Sequence, residues 1–137
     1  MTNILAIDYG SKRIGLAASN QLGISAPLDF IENNSEKIKK LRQIIQDRNI
    51  QKIILGLPVT LSGREESAAQ KARKFAEELA ALNLPVEFYD ERLSTAEAHK
   101  MMLQYGLSSR ERRTKVDSLA ACILLENYLK EKKCAII

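Results

Sequence analysis

An α/β fold, with one five-stranded mixed sheet and helices on both faces, follows from three features of this 137-residue chain. Short strand patterns near the N-terminus are joined by tight turns. Strand and helix patterns then alternate to the end. Two segments, 3–8 and 52–58, are nearly continuous apolar runs of the kind a strand shows when both its faces are covered.

The first strand is "NILAID" (3–8). Residues 13–19 change to alternation, with Ile14, Leu16 and Ala18 on one side. Gln21 to Gly23 form a turn and 24–31 alternates again, so these three strands read as an antiparallel meander. A helix from about 35 to 48 carries the stripe Ile38, Leu41 and Ile45, with Asn33 or Ser35 as its cap. "KIILGLP" is the next buried strand, stopped by Gly56 and Pro58. Ala68, Ala72, Phe75, Leu79 and Leu82 recur at helical spacing. Pro85 then opens the strand "VEFYDE".

Ser94 and Glu97 make a capping box for a helix reaching about Gln104. "GLSSRERRTK" (106–115) has Gly106, adjacent serines and little apolar content after Leu107, and is expected to be a mobile loop. A last helix spans about 116 to 131. Strands one, four and five should run parallel, with the meander completing one edge. No repeat or composition break divides the chain, so residues 1–137 are expected to form one domain.

Hydrophobic residues at 45% and charged residues at 28% suit a globular protein. No apolar run approaches a membrane span and no signal segment is evident, which predicts a cytoplasmic protein with no membrane partner. The net charge of +4 and pI near 9.1 permit a polyanionic partner without requiring one. Cys122, Cys134 and His99 are too few and too scattered for a zinc site. The cysteines read as reduced thiols and His99 as a surface helix residue.

Binding sites form where parallel strands end. Asp8 ends strand one, followed at once by Gly10, Lys12 and Arg13; Asp90 and Glu91 end strand five. Alternation sends Asp90 and Glu91 to opposite faces, so one of them reaches the site, and the pattern leaves open which. Asp117 lies four residues before Ala121 and extends the apolar stripe of the last helix, where a carboxylate needs a partner or a metal. Its bland reading is an N-cap. Three acids without histidine or cysteine suit a hard cation, Mg²⁺ or Mn²⁺, of the kind that activates water against a phosphodiester. Gly10 would let the backbone pass close to a phosphate.

Basic residues adjoin each acid: Lys12 and Arg13 beside Asp8, Arg92 after Glu91, and Arg110, Arg112, Arg113 and Lys115 before Asp117. They are the candidate nucleic-acid contacts. Four Tyr, three Phe and no Trp leave little for base stacking, which favours reading of backbone and shape. Tyr9 is the one aromatic next to a proposed ligand, and a core role competes with a functional one.

"DYGSKRIGLA", "GLP", "DERLSTAEA" and "KVDSLAACILLENYL", in this order and spacing, resemble the YqgF family, also called RuvX-like. The resemblance covers nearly the whole chain. It implies a ribonuclease H-like fold and nuclease activity, with bacterial members linked to maturation of the 5′ end of 16S ribosomal RNA. It places the acidic positions on Asp8, Glu91 and Asp117, and so selects Glu91 over Asp90. A fourth acid, frequent in such nucleases, has no clear counterpart. The chain also departs from the family after GLP, with Thr60 and Ser62 where Asn and Asp-Gly are usual.

The expected activity is thus metal-dependent endonucleolytic cleavage of precursor ribosomal RNA by a monomer or weak homodimer. A Holliday junction resolvase acting on branched DNA is the first alternative, and two coordinated cuts would then require a symmetric dimer. A nucleic-acid-binding module with weak catalysis is the second. An actin-like ATPase also opens on a DxG strand, but it closes two domains around its nucleotide.

Overall fold

The computed structural model describes residues 2–58, 67–91 and 109–135. Strand β1 (Ile4–Tyr9) pairs antiparallel with β2 (Arg13–Ser19), and β2 pairs antiparallel with β3 (Ser25–Glu32). Parallel strands β4 (Lys52–Pro58) and β5 (Val86–Glu91) extend the sheet on the other side of β1, giving the order β3-β2-β1-β4-β5. The meander and the parallel half are as the sequence predicts.

Alternation along β1 divides two cores. Leu5 and Ile7 face helices α1 (Lys37–Arg48) and α2 (Ser67–Leu79), where Leu41, Ala72, Phe75 and Leu79 are buried. Ile4 and Ala6 face helix α3 (Ser109–Ala135), where Ala121, Cys122, Leu124, Leu125 and Tyr128 are buried. A central strand with both faces covered has no reason to carry polar residues, which explains its apolar run.

The β2–β3 turn is held by Asn20, whose Oδ1 accepts from the Leu22 and Ile24 amides at 2.9 and 3.1 Å. Gly23 takes a φ of 79°, which a residue with a side chain rarely adopts. In the C-terminal part of α3, Tyr128 donates to Glu87 at 2.9 Å and accepts from Lys52 at 2.6 Å. The hydrogen bond to Glu87, then that to Tyr128, raises the Lys52 pKa above its ordinary value.

Two local expectations need correction. Neither Asn33 nor Ser35 caps α1. Asn34 Oδ1 accepts from the Glu36 amide at 2.9 Å, and the Asn34 carbonyl accepts from Lys37 at 3.1 Å. Asn33 is engaged elsewhere, at the β1–β2 loop. The expected loop 106–115 is helical from Ser109 onward, because α3 begins there. Arg, Glu and Lys are strong helix formers, and neither Gly nor Pro interrupts them after Gly106, so a polar helix end forms without an apolar stripe to announce it. The loop with Thr60 and Ser62, Arg92, His99 and the helix expected to reach Gln104 lie outside the described residues. Among the described residues, no helix is long and apolar enough to cross a membrane.

Candidate active site

The parallel strands β1, β4 and β5 end at one edge of the sheet. Asp8 stands there opposite Gly15 of β2, half-buried. Ile4 and Ala6 belong to the α3 core, so alternation places Asp8 on the α3 face too. Leu55 pairs with Ile7, which puts Gly56 level with Asp8 on the neighbouring strand. Gly56 has no side chain to fill the α3 face between β1 and β5.

The β5 register distinguishes the two terminal acids. Glu87 hydrogen-bonds to Tyr128 of α3, and Tyr89 meets the Tyr128 ring edge-on with centroids 5.9 Å apart. Phe88 lies under Arg73 of α2, on the opposite face. Position 91 therefore shares the α3 face with Asp8, while position 90 falls on the α2 face. Glu91 pairs with Pro58, two residues beyond the level of Asp8 and two strands across, roughly 10 Å at the usual strand spacing.

Position 117 reaches the same edge through its neighbour. Ser118 is fully buried and its Oγ accepts from the Leu16 amide at 3.1 Å. That bond spans 102 residues of sequence and falls where the β2–β3 register shifts between Ile14 and Leu16. It pins the start of the buried part of α3 beside Gly15, the partner of Asp8. Sequence reasoning missed Ser118. Its signal was a small hydroxyl residue between Asp117 and an otherwise apolar helix face. Arg110, Arg112, Arg113 and Lys115 precede it in the first turns of α3, and so stand towards that edge as well.

Among the described residues, no group of three His, Cys, Asp or Glu side chains converges on a cation position. The side chains of Glu91 and Asp117 are not among those described, and the structure locates these two by backbone register alone. The donor chemistry of the three positions is nevertheless uniform. All three residues are carboxylic acids, the donor type that Mg²⁺ and Mn²⁺ prefer.

The β1–β2 loop is rigidly held. Asn33 donates from Nδ2 to the Gly10 carbonyl and from its amide to the Lys12 carbonyl, each at 2.9 Å. Lys12 and Arg13 are exposed, and the Arg13 guanidinium sits 5.2 Å from the centre of the Phe30 ring. Gly10 has an internal reason to be glycine, because a Cβ there would overlap the Arg13 carbonyl. Gly10→Ala is accordingly expected to force the loop apart and cost about 1–3 kcal/mol, the usual range for overpacking. Urea denaturation of the variant checks this. Tyr9 faces away from Asp8 and stacks on Phe75 with centroids 4.4 Å apart, so it belongs to the core.

The model of the family described as "RuvX: Holliday junction resolvase" matches residues 2–131. A protein of Thermosynechococcus vestitus named "Putative pre-16S rRNA nuclease" is 39% identical over 133 residues, covering 94% of this chain and 88% of its own. A protein of the same name from Rickettsia africae is 40% identical over 130 residues, covering 92% and 84%. Among solved structures, Thermus thermophilus RuvC in complex with a Holliday junction substrate superposes with a TM-score of 0.58 at 14% identity, covering 98% of this chain and 97% of that one. Fowlpox virus resolvase bound to Holliday junction DNA gives 0.59 at 12% identity, covering 96% and 99%. At those identities the superpositions speak for the fold, which is ribonuclease H-like. With the family model spanning almost the entire chain and relatives near 40% identity, the chain is a member of the YqgF (RuvX) family of nucleases.

Proposed function

We propose that this protein is a divalent-metal-dependent endonuclease that processes the 5′ end of precursor 16S ribosomal RNA in the cytoplasm. The observation that supports this reading is that β1 and β5, the strands of Asp8 and Glu91, end at one edge of the sheet, where Ser118, the neighbour of Asp117, is bonded to Leu16. In this reading the three carboxylates hold the ion, and Gly56 leaves the face between them open. Bound by Asp8, Glu91 and Asp117, Mg²⁺ or Mn²⁺ would supply Lewis acidity that makes water more acidic and offsets charge on the leaving oxygen.

The protein's own part is positioning. Asp8 is fixed by a central strand paired on both sides, and Asp117 by the Ser118 anchor. In this reading Lys12, Arg13, Arg92, Arg110, Arg112, Arg113 and Lys115, which adjoin the acids in sequence, hold the phosphates on either side of the scissile bond. Such contacts orient the strand without reading its bases.

The substrate assignment rests on the relatives' names, and the description of the family model favours a second reading, cleavage of branched DNA. Purified protein with Mn²⁺, given a precursor 16S fragment and a synthetic four-way junction side by side, separates the two. The expected result is cleavage of the RNA at a defined position near the mature 5′ end, with the junction left intact by a predominantly monomeric protein. Symmetric cuts across the junction by a dimer, with the RNA intact, would establish the second reading instead.

A further inference from the structure

Helix α1 carries five cations, Lys37, Lys39, Lys40, Arg42 and Arg48, against one carboxylate, Asp47. Its local charge of +4 equals that of the entire chain. The helix lies on the face opposite α3, yet it starts at the candidate site, because Asn33 just before it is bonded to the Gly10 and Lys12 carbonyls. From there it runs back along β3, the edge strand of the sheet.

Between α1 and β3 is an open groove of about 390 Å³. Leu28, Ile31 and Ile44 provide apolar lining, and Lys40 and Arg48 flank it from α1. These two cations are exposed and, among the described residues, neither has an ion-pair partner. They lie on one helical stripe, about 12 Å apart along the axis. Asp29 is the one acid of the lining, so the groove stays net positive. Phe30, at the upper lip, lies under the Arg13 guanidinium, which makes the groove continuous with the Lys12–Arg13 loop.

We propose that this groove carries a single-stranded stretch of the RNA substrate leading away from the cleavage site. The inference rests on the nuclease reading above and adds a second contact surface to it. Cations on the rim of a partly apolar track are what a single strand requires, with phosphates on the charges and sugar or base faces on the lining. A peptide added as a further strand fits less well. Pro27 lies in β3 without an amide hydrogen and interrupts the row of donors that such pairing uses.

The test uses the full chain carrying Asp8→Asn, which prevents cleavage, and a fluorescent single-stranded RNA of about 16 nucleotides, the upper end of typical site sizes. Adding Lys40→Gln and Arg48→Gln should weaken binding on the order of tenfold at 0.1 M salt and reduce the log–log salt slope by about 1.4, at about 0.7 per phosphate contact on a single strand. The pair Lys71→Gln and Lys130→Gln, exposed cations on α2 and α3, should leave both unchanged. Equal affinity and slope in the Lys40/Arg48 variant would overturn the groove assignment. So would a polyglutamate peptide that competes as well as RNA and loses its binding in the same variant. Failure of the underlying nuclease reading has a different signature, namely no metal-dependent cleavage of precursor RNA by the unsubstituted protein.

Discussion

Asp8→Asn should lower metal-dependent cleavage on the order of 10³-fold, a barrier increase of about 4 kcal/mol. The substitution keeps the shape of the side chain and exchanges an anionic oxygen for a neutral amide, so the loss falls on charge and not on packing. Asp8 sits on a central strand whose backbone is bonded to both neighbouring strands. Relief of repulsion from the nearby acidic positions should leave Tm unchanged or higher without metal. The gain in Tm on adding Mn²⁺ should shrink, because the ion binds the native state less tightly. Thermal scans with and without Mn²⁺ therefore report on the site independently of turnover. Undiminished cleavage by a nuclease-free preparation would remove Asp8 from the site.

Phe75→Ala should be the costliest single change in the described core, at about 3–5 kcal/mol and a fall in Tm of roughly 10 °C or more. Phe75 is fully buried in α2 and stacks on Tyr9, the residue after Asp8. Its removal leaves a cavity under the end of β1 and frees Tyr9 to tilt. Activity should fall beyond what the folded fraction explains, because the strand that presents Asp8 loses its support. Guanidinium denaturation gives the stability change, and cleavage per folded molecule well below Tm gives the second effect. A variant that is destabilised but fully active when folded would show that Asp8 is positioned by the sheet alone.

All five strands were legible in the sequence, because strand burial leaves a direct mark. The continuous apolar runs of β1 and β4 report that both faces are covered, whereas β2, which alternates in sequence, is also buried on both faces from Ile14 onward. The start of α3 was not legible. Its first turns are charged, and a polar helix end differs from a polar loop only by modest propensities. The cap of α1 was not legible, since Asn33, Asn34 and Ser35 all have capping side chains, yet the N-cap position is Glu36 and no side chain caps it.

At the site, residue types and strand ends pointed to Asp8 and Asp117, but not to a choice between Asp90 and Glu91. Alternation says only that the two differ. Which one faces α3 becomes visible through Glu87 and Tyr89, whose contacts with Tyr128 identify the face. The Ser118–Leu16 bond was beyond local reasoning altogether, as a contact between positions 102 residues apart leaves no periodic trace.

The same alternation supplies the most direct test of the three-carboxylate site. Single-turnover cleavage of the precursor 16S fragment in Mn²⁺ should be lost in Glu91→Gln and retained in Asp90→Asn, because strand alternation puts position 91, and not position 90, in phase with the β5 residues that meet α3. Retained cleavage in Glu91→Gln, or its loss in Asp90→Asn with the fold intact, would contradict the assignment.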